Sequence, residues 1–96
     1  MTKHLPTHIT LSPNVIFQQI HDEAVLLDMA SEQYFALNEL GMRIWQLLSE
    51  NGDTTAAVEK LLGEFTVDEI TLRKDIADWI TEMVDNGLVT IGADAV

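Results

Sequence analysis

Cysteine is absent from this chain of 96 residues, which excludes a disulfide framework and any thiolate metal site. Bases are scarce. Five (Lys3, Arg43, Lys60, Arg73 and Lys74) stand against sixteen acids, for a formal net charge of −11. Nucleic-acid binders draw most of their affinity from cations meeting phosphates, so a surface this acidic repels a polyanion. A basic peptide is attracted to it instead, and the same acids keep the chain soluble. No run approaches the roughly 20 apolar residues of a membrane span, so no membrane partner is expected. The opening "MTKHLPTHITLSP" lacks the continuous apolar core of a secretory signal, and a cytoplasmic protein is expected. The glycines are scattered, most of them at turns, and none builds a phosphate-binding loop. Ser12, Ser31 and Ser49 have no motif around them that makes a nucleophile, and carboxylate pairs are too common here to mark acid–base chemistry. Nothing in the chain argues for catalysis or for a cofactor.

What is present is a globular domain: 47% of the residues are apolar, too many for a disordered chain of any charge. Residues 1–14 contain Pro6 and Pro13 with little periodicity and read as a partly ordered arm. His4 and His8 lie in it four apart, but Pro6 between them opposes a helix, and an exposed arm is expected rather than a metal site. Three short apolar runs follow: Val15–Ile20, Ala24–Met29 and Gln33–Leu37. The polar stretches "HDE" and "ASE" separate them, as in a three-stranded antiparallel meander. Val25, Leu26 and Leu27 are consecutive in the second run, which marks it as the central strand.

The third run passes into a helical pattern without a loop. Asn38 is placed to cap that helix, which carries Leu40, Ile44, Trp45, Leu47 and Leu48 and ends near Glu50. Gly41 in its first turn weakens it slightly and suggests close packing against the sheet. Asp53 or Thr54 caps a second helix that reaches Phe65. Thr66 and Glu69 have the spacing of a capping box for a third helix over 67–86, with Asn86-Gly87 as its left-handed stop. "LVTI" (88–91) is β-like, and residues 92–96 read as a frayed tail. The expected fold is α+β and winged-helix-like: a three-stranded antiparallel sheet, three helices and a short C-terminal wing, with the folded domain over 15–91.

In a winged helix the third helix enters the major groove. Here its acids (Asp68, Glu69, Asp75, Asp78, Glu82 and Asp85) outnumber Arg73 and Lys74, which opposes a DNA-binding regulator. Leu72, Ile76, Trp79, Ile80, Met83 and Val84 share one broad apolar face. Trp79 and Leu72 sit at its margin, with Asp75, Asp78 and Glu82 just beyond. The margin is either the edge of the core or the wall of a groove.

Two segments, "AVLLDMASEQYFALNELGMRIWQLL" (24–48) and "DIADWITEMVDNGLV" (75–89), resemble the PqqD-like family. These are the precursor-peptide recognition domains of ribosomal peptide natural-product pathways. The resemblance rests on Asp28, Tyr34, Phe35, Leu37, Asn38, Ile44 and Trp45, then on Asp75, Ile76, Ile80, Met83, Gly87, Leu88 and Val89, over about 24–91. The length is similar to that of the stand-alone leader-binding proteins of lasso-peptide clusters. Trp79 stands where the family more often has a smaller aromatic or an aliphatic residue.

The resemblance implies a non-catalytic adaptor whose guest, the leader of a precursor peptide, adds as a strand to the third run and lies against the third helix. The implied contacts are Gln33, Tyr34, Phe35 and Ala36 on the strand and Leu72, Asp75, Ile76, Asp78, Trp79 and Glu82 on the helix. The implied second partner is a modifying enzyme or leader peptidase of the same pathway. The same open edge would also serve a dimerisation module, so either a monomer or a strand-exchanged dimer is compatible with it.

Overall fold

The computed structural model describes residues 5–92. Its elements are β1 (Ile9–Leu11), β2 (Val15–Ile20), β3 (Glu23–Asp28), β4 (Gln33–Leu37), α1 (Glu39–Asn51), α2 (Thr54–Glu64), α3 (Glu69–Asp85) and β5 (Val89–Ile91). β2, β3 and β4 form the expected antiparallel meander with β3 in the centre, so the chain is an α+β domain of three strands followed by three helices.

Alternation decides which way the sheet faces. Ala24, Leu26 and Asp28 of β3 point into the core, and Val25 and Leu27 are left half-buried on the outer side. The inward Asp28 carboxylate is satisfied by the turn that follows, accepting from the Ala30 N–H at 3.1 Å and the Ser31 hydroxyl at 2.9 Å. That turn closes through Glu32 in the left-handed region (φ 60°), and the β2–β3 hairpin closes through His21 (φ 57°).

Each helix is started by a side chain whose oxygen takes N–H groups with no partner inside the helix. Asn38 caps α1, accepting from the Gly41 N–H at 2.9 Å. Asp53, not Thr54, caps α2, accepting from the Thr55 and Ala56 N–H groups at 2.9 and 3.2 Å. The expected Thr66–Glu69 capping box does not form. Asp68 caps α3 instead, accepting from both the N–H (3.0 Å) and the hydroxyl (2.7 Å) of Thr71. Those hydrogen bonds, the backbone N–H first, hold the Asp68 carboxyl below its ordinary pKa. Glu69 is thereby released to pair with Arg73, one turn on, at 2.8 Å.

The stop of α3 is a Schellman turn: the Gly87 N–H reaches the Val84 carbonyl and the Leu88 N–H the Met83 carbonyl. Gly87 takes the left-handed conformation (φ 74°), and Leu88 is fully buried behind it.

The core lies between the inner face of the meander and the helical trio. Leu26 and Ile44 are buried in it with Leu61, Leu72, Ile76 and Ile80. The wing is a two-stranded ribbon, because β5 pairs antiparallel with β1, a strand inside the segment read as an arm.

Around β1 the segment acts as a strap over the α1–α2 corner. The Ile9 N–H donates to the Gly52 carbonyl and the Thr54 N–H to the Thr7 carbonyl, while the buried Thr54 hydroxyl donates to the Pro6 carbonyl. His8 of the expected arm is exposed and bridges to Asp53; His4 lies outside the described residues. Gly92, at the start of the expected tail, donates to the His8 carbonyl.

Candidate functional site

β4 pairs with β3 alone among the described residues, so its other edge presents unpaired backbone N–H and C=O groups. The register sets Phe35 opposite Leu26 and Ala36 opposite Val25. Phe35 is therefore turned towards the core, against which it packs half-buried, and Ala36 towards the outer face. Asn38 fixes the end of this strand: its backbone leaves the sheet and its side chain caps α1 in the same step. A strand running into a helix without a loop is held rigid at that end.

Two cavities adjoin this corner. One, of about 460 Å³, reaches from Glu23–Val25 and Ala36–Asn38 to Trp79, Glu82 and Met83. The other, of about 300 Å³, reaches from Asn38, Leu40, Gly41 and Ile44 to Asp75, Asp78, Trp79 and Glu82. They share Asn38, Gly41, Trp79 and Glu82, and together they form a groove between the β4 end of the sheet and α3. Its charged lining is Glu23, Asp75, Asp78 and Glu82, with no base among the residues of either cavity. β2 is the sheet's other edge, and neither cavity touches it.

Of the residues read as site residues from the sequence, Ala36, Asp75, Asp78, Trp79 and Glu82 meet in this groove. Gln33 and Tyr34 lie further back along the open strand, Tyr34 on the outer face with 72% of its surface exposed. Leu72 and Ile76 are not in the groove. Each is 1% exposed in the core, because a helical wheel gives the direction of a side chain but not the depth of cover at its position along the axis.

Asn38, Leu40, Gly41 and Glu23 line the groove without having been marked for it. Gly41 did carry a signal, a glycine inside a helix turn, and the structure gives its reason. A Cβ there would stand 3.2 Å from Trp79 Nε1, 3.3 Å from Asn38 Oδ1 and 3.4 Å from the Leu37 side chain. Gly41 is the seat on which the indole rests.

Trp79 is both core and groove. Its ring meets Trp45 edge to face, with centroids 6.5 Å apart and planes at 73°, and its other side borders both cavities. The Nε1–H is buried and has no hydrogen-bond partner among the described residues. A buried donor left unpaired costs about 1–3 kcal/mol. No group of three or more His, Cys, Asp or Glu side chains among the described residues can hold a metal ion.

An antiparallel meander with one open edge beside an acidic groove, carried on a helical trio, defines a small winged-helix-like domain whose candidate site is that edge and groove. The chain belongs to the family of coenzyme PQQ synthesis protein D (PqqD), which residues 23–89 match.

Two solved structures share the fold. TbiB1 in complex with the TbiA(β) leader peptide is 33% identical, with a TM-score of 0.82 over 88% of this chain and 99% of that one. A lasso peptide synthetase B1 complexed with the leader peptide is 28% identical, with a TM-score of 0.77 over 86% and 98%. No curated protein matches the chain.

Proposed function

We propose that this protein is a non-catalytic adaptor that binds the leader segment of a ribosomally made precursor peptide and presents the attached peptide to a modifying enzyme or leader peptidase. The observation that carries this reading is the open, end-anchored β4 edge lying beside a groove. Such an edge gives affinity through main-chain hydrogen bonds with little demand on sequence, and pockets beside it add selectivity. Both similar structures are complexes with leader peptides, which supports the same kind of guest here.

The guest strand lies along Gln33–Ala36 and turns its side chains towards Asp75, Asp78, Trp79 and Glu82. Cytoplasmic action fits a guest that is met soon after its synthesis. Among the described residues no helix is long and apolar enough to cross a membrane. The acids of α3 oppose the alternative of a DNA-binding winged helix, and a gel shift at low salt is expected to show no complex.

The groove's carboxylates make a prediction about salt. Titrating the chain with the precursor leader encoded beside its gene, when that leader carries lysine or arginine near the groove, should give an affinity that falls as ionic strength rises. The useful range is from about 0.01 M to about 1 M, over which the screening length shrinks from about 30 Å to about 3 Å. An unchanged affinity would mean that the acids serve solubility alone. Absence of binding at every ionic strength would remove the adaptor reading itself.

A further inference from the structure

Trp79 carries a buried donor that the described residues leave unpaired. Its Nε1–H is turned towards the first turn of α1 at Gly41, where it is sealed from solvent and meets no acceptor. The nearest polar atom beside that seat, Asn38 Oδ1, is already engaged with the Gly41 N–H. The ring also borders both cavities of the groove. A buried donor without a partner, on a ring that borders the groove, is placed to meet an acceptor that a guest brings.

We propose that the Trp79 indole N–H is a specificity donor of the groove, and that a bound peptide supplies it with an uncharged oxygen acceptor, a backbone or side-chain amide carbonyl. This rests on the peptide-binding reading above and adds what the guest must carry at this point. The acceptor is uncharged because Glu23, Asp75, Asp78 and Glu82 line the same cavities and would repel a carboxylate. Gly41 is part of the device, since any side chain there would crowd the indole edge.

The test uses the whole chain and a peptide selected against it from a randomised display library. The chain has two tryptophans, so its nitrogen–proton NMR spectrum holds two indole signals, and the one lost in Trp79→Phe is that of Trp79. On adding the peptide, that signal is expected to move downfield, as a newly hydrogen-bonded proton does. Trp79→Phe keeps a ring and removes the donor; it is expected to bind about three- to tenfold more weakly, the size of one hydrogen bond. Its melting temperature should not fall by a corresponding amount, since the donor is unpaired in the free protein.

A peptide that binds while the Trp79 signal stays in place, and that Trp79→Phe binds equally well, overturns the donor and leaves the adaptor reading standing. If Trp79→Phe does not fold, the signal that remains in Trp45→Phe, or the one assigned by its through-space contacts in the unaltered chain, is that of Trp79 and decides alone. If no peptide is selected, the peptide-binding reading fails and the donor falls with it.

Discussion

One of the two variants Phe35→Pro and Ala36→Pro is expected to remain folded by circular dichroism and to lose peptide binding by about tenfold or more. Neighbouring residues of a strand direct their backbone N–H groups to opposite sides, so one of this pair points towards β3 and the other to the open edge of β4. Proline deletes the donor at either position. Facing β3, the change breaks a ladder bond in a three-stranded sheet and unfolds or strongly destabilises the domain. Facing outwards, it is tolerated, as proline generally is on edge strands, but it removes a bond to the guest and sets a ring in its path. Phe35 packs against the core, so Phe35→Ala is measured alongside to separate loss of the ring from loss of the donor. A folded proline variant that binds normally would show that the guest does not pair with β4.

The second large effect concerns the frame that holds the site. Gly52 ends α1 in the left-handed conformation (φ 73°), and a Cβ there would stand 2.3 Å from the carbonyl oxygen of Ile9. Gly52→Ala therefore combines left-handed strain, about 1–2 kcal/mol, with a collision against backbone. The Ile9 N–H bond to the Gly52 carbonyl sits at the same contact, so the strap cannot move aside without losing it.

A loss of roughly 3 kcal/mol or more is expected, which for a domain of this size lowers the melting temperature by about 10–25 °C. Gly87→Ala is the comparison. Gly87 is equally left-handed (φ 74°), but its Cβ would meet nothing within 4 Å, so only the strain term remains, about 1–2 kcal/mol. Similar losses from the two variants would show that the strap is not pressed against the α1–α2 corner.

The meander was legible in the sequence because each strand is a run of five or six apolar-rich residues bounded by polar turns, and these local signals agree with the final pairing. The helices were legible for a similar reason, with Asn38 the clearest start and Asn86-Gly87 the clearest stop. Two features were not. β1 is three residues long, and its partner β5 lies at the far end of the chain, so no local pattern announces either the pairing or the strap. The start of α3 was read from the capping-box spacing of Thr66 and Glu69, yet it is Asp68 that caps the helix, because its carboxylate gains both groups of Thr71.

The site was half legible. Periodicity placed Asp75, Asp78, Trp79 and Glu82 on one margin of α3, and they do line the groove. The same periodicity put Leu72 beside Trp79, although Leu72 is wholly buried. The opposite wall, Asn38 and Gly41, belongs to a different helix, and only the fold brings it to Trp79.

The proposed adaptor function depends on the guest peptide adding to the β4 edge. Amide hydrogen exchange, followed residue by residue with and without saturating peptide, reads that edge directly. Bound peptide is expected to slow exchange at alternate residues within Gln33–Leu37, those whose N–H groups face outwards, and to leave the outward amides of β2 unchanged. Exchange along β4 that is indifferent to bound peptide, or new protection along Val15–Ile20 instead, would contradict it.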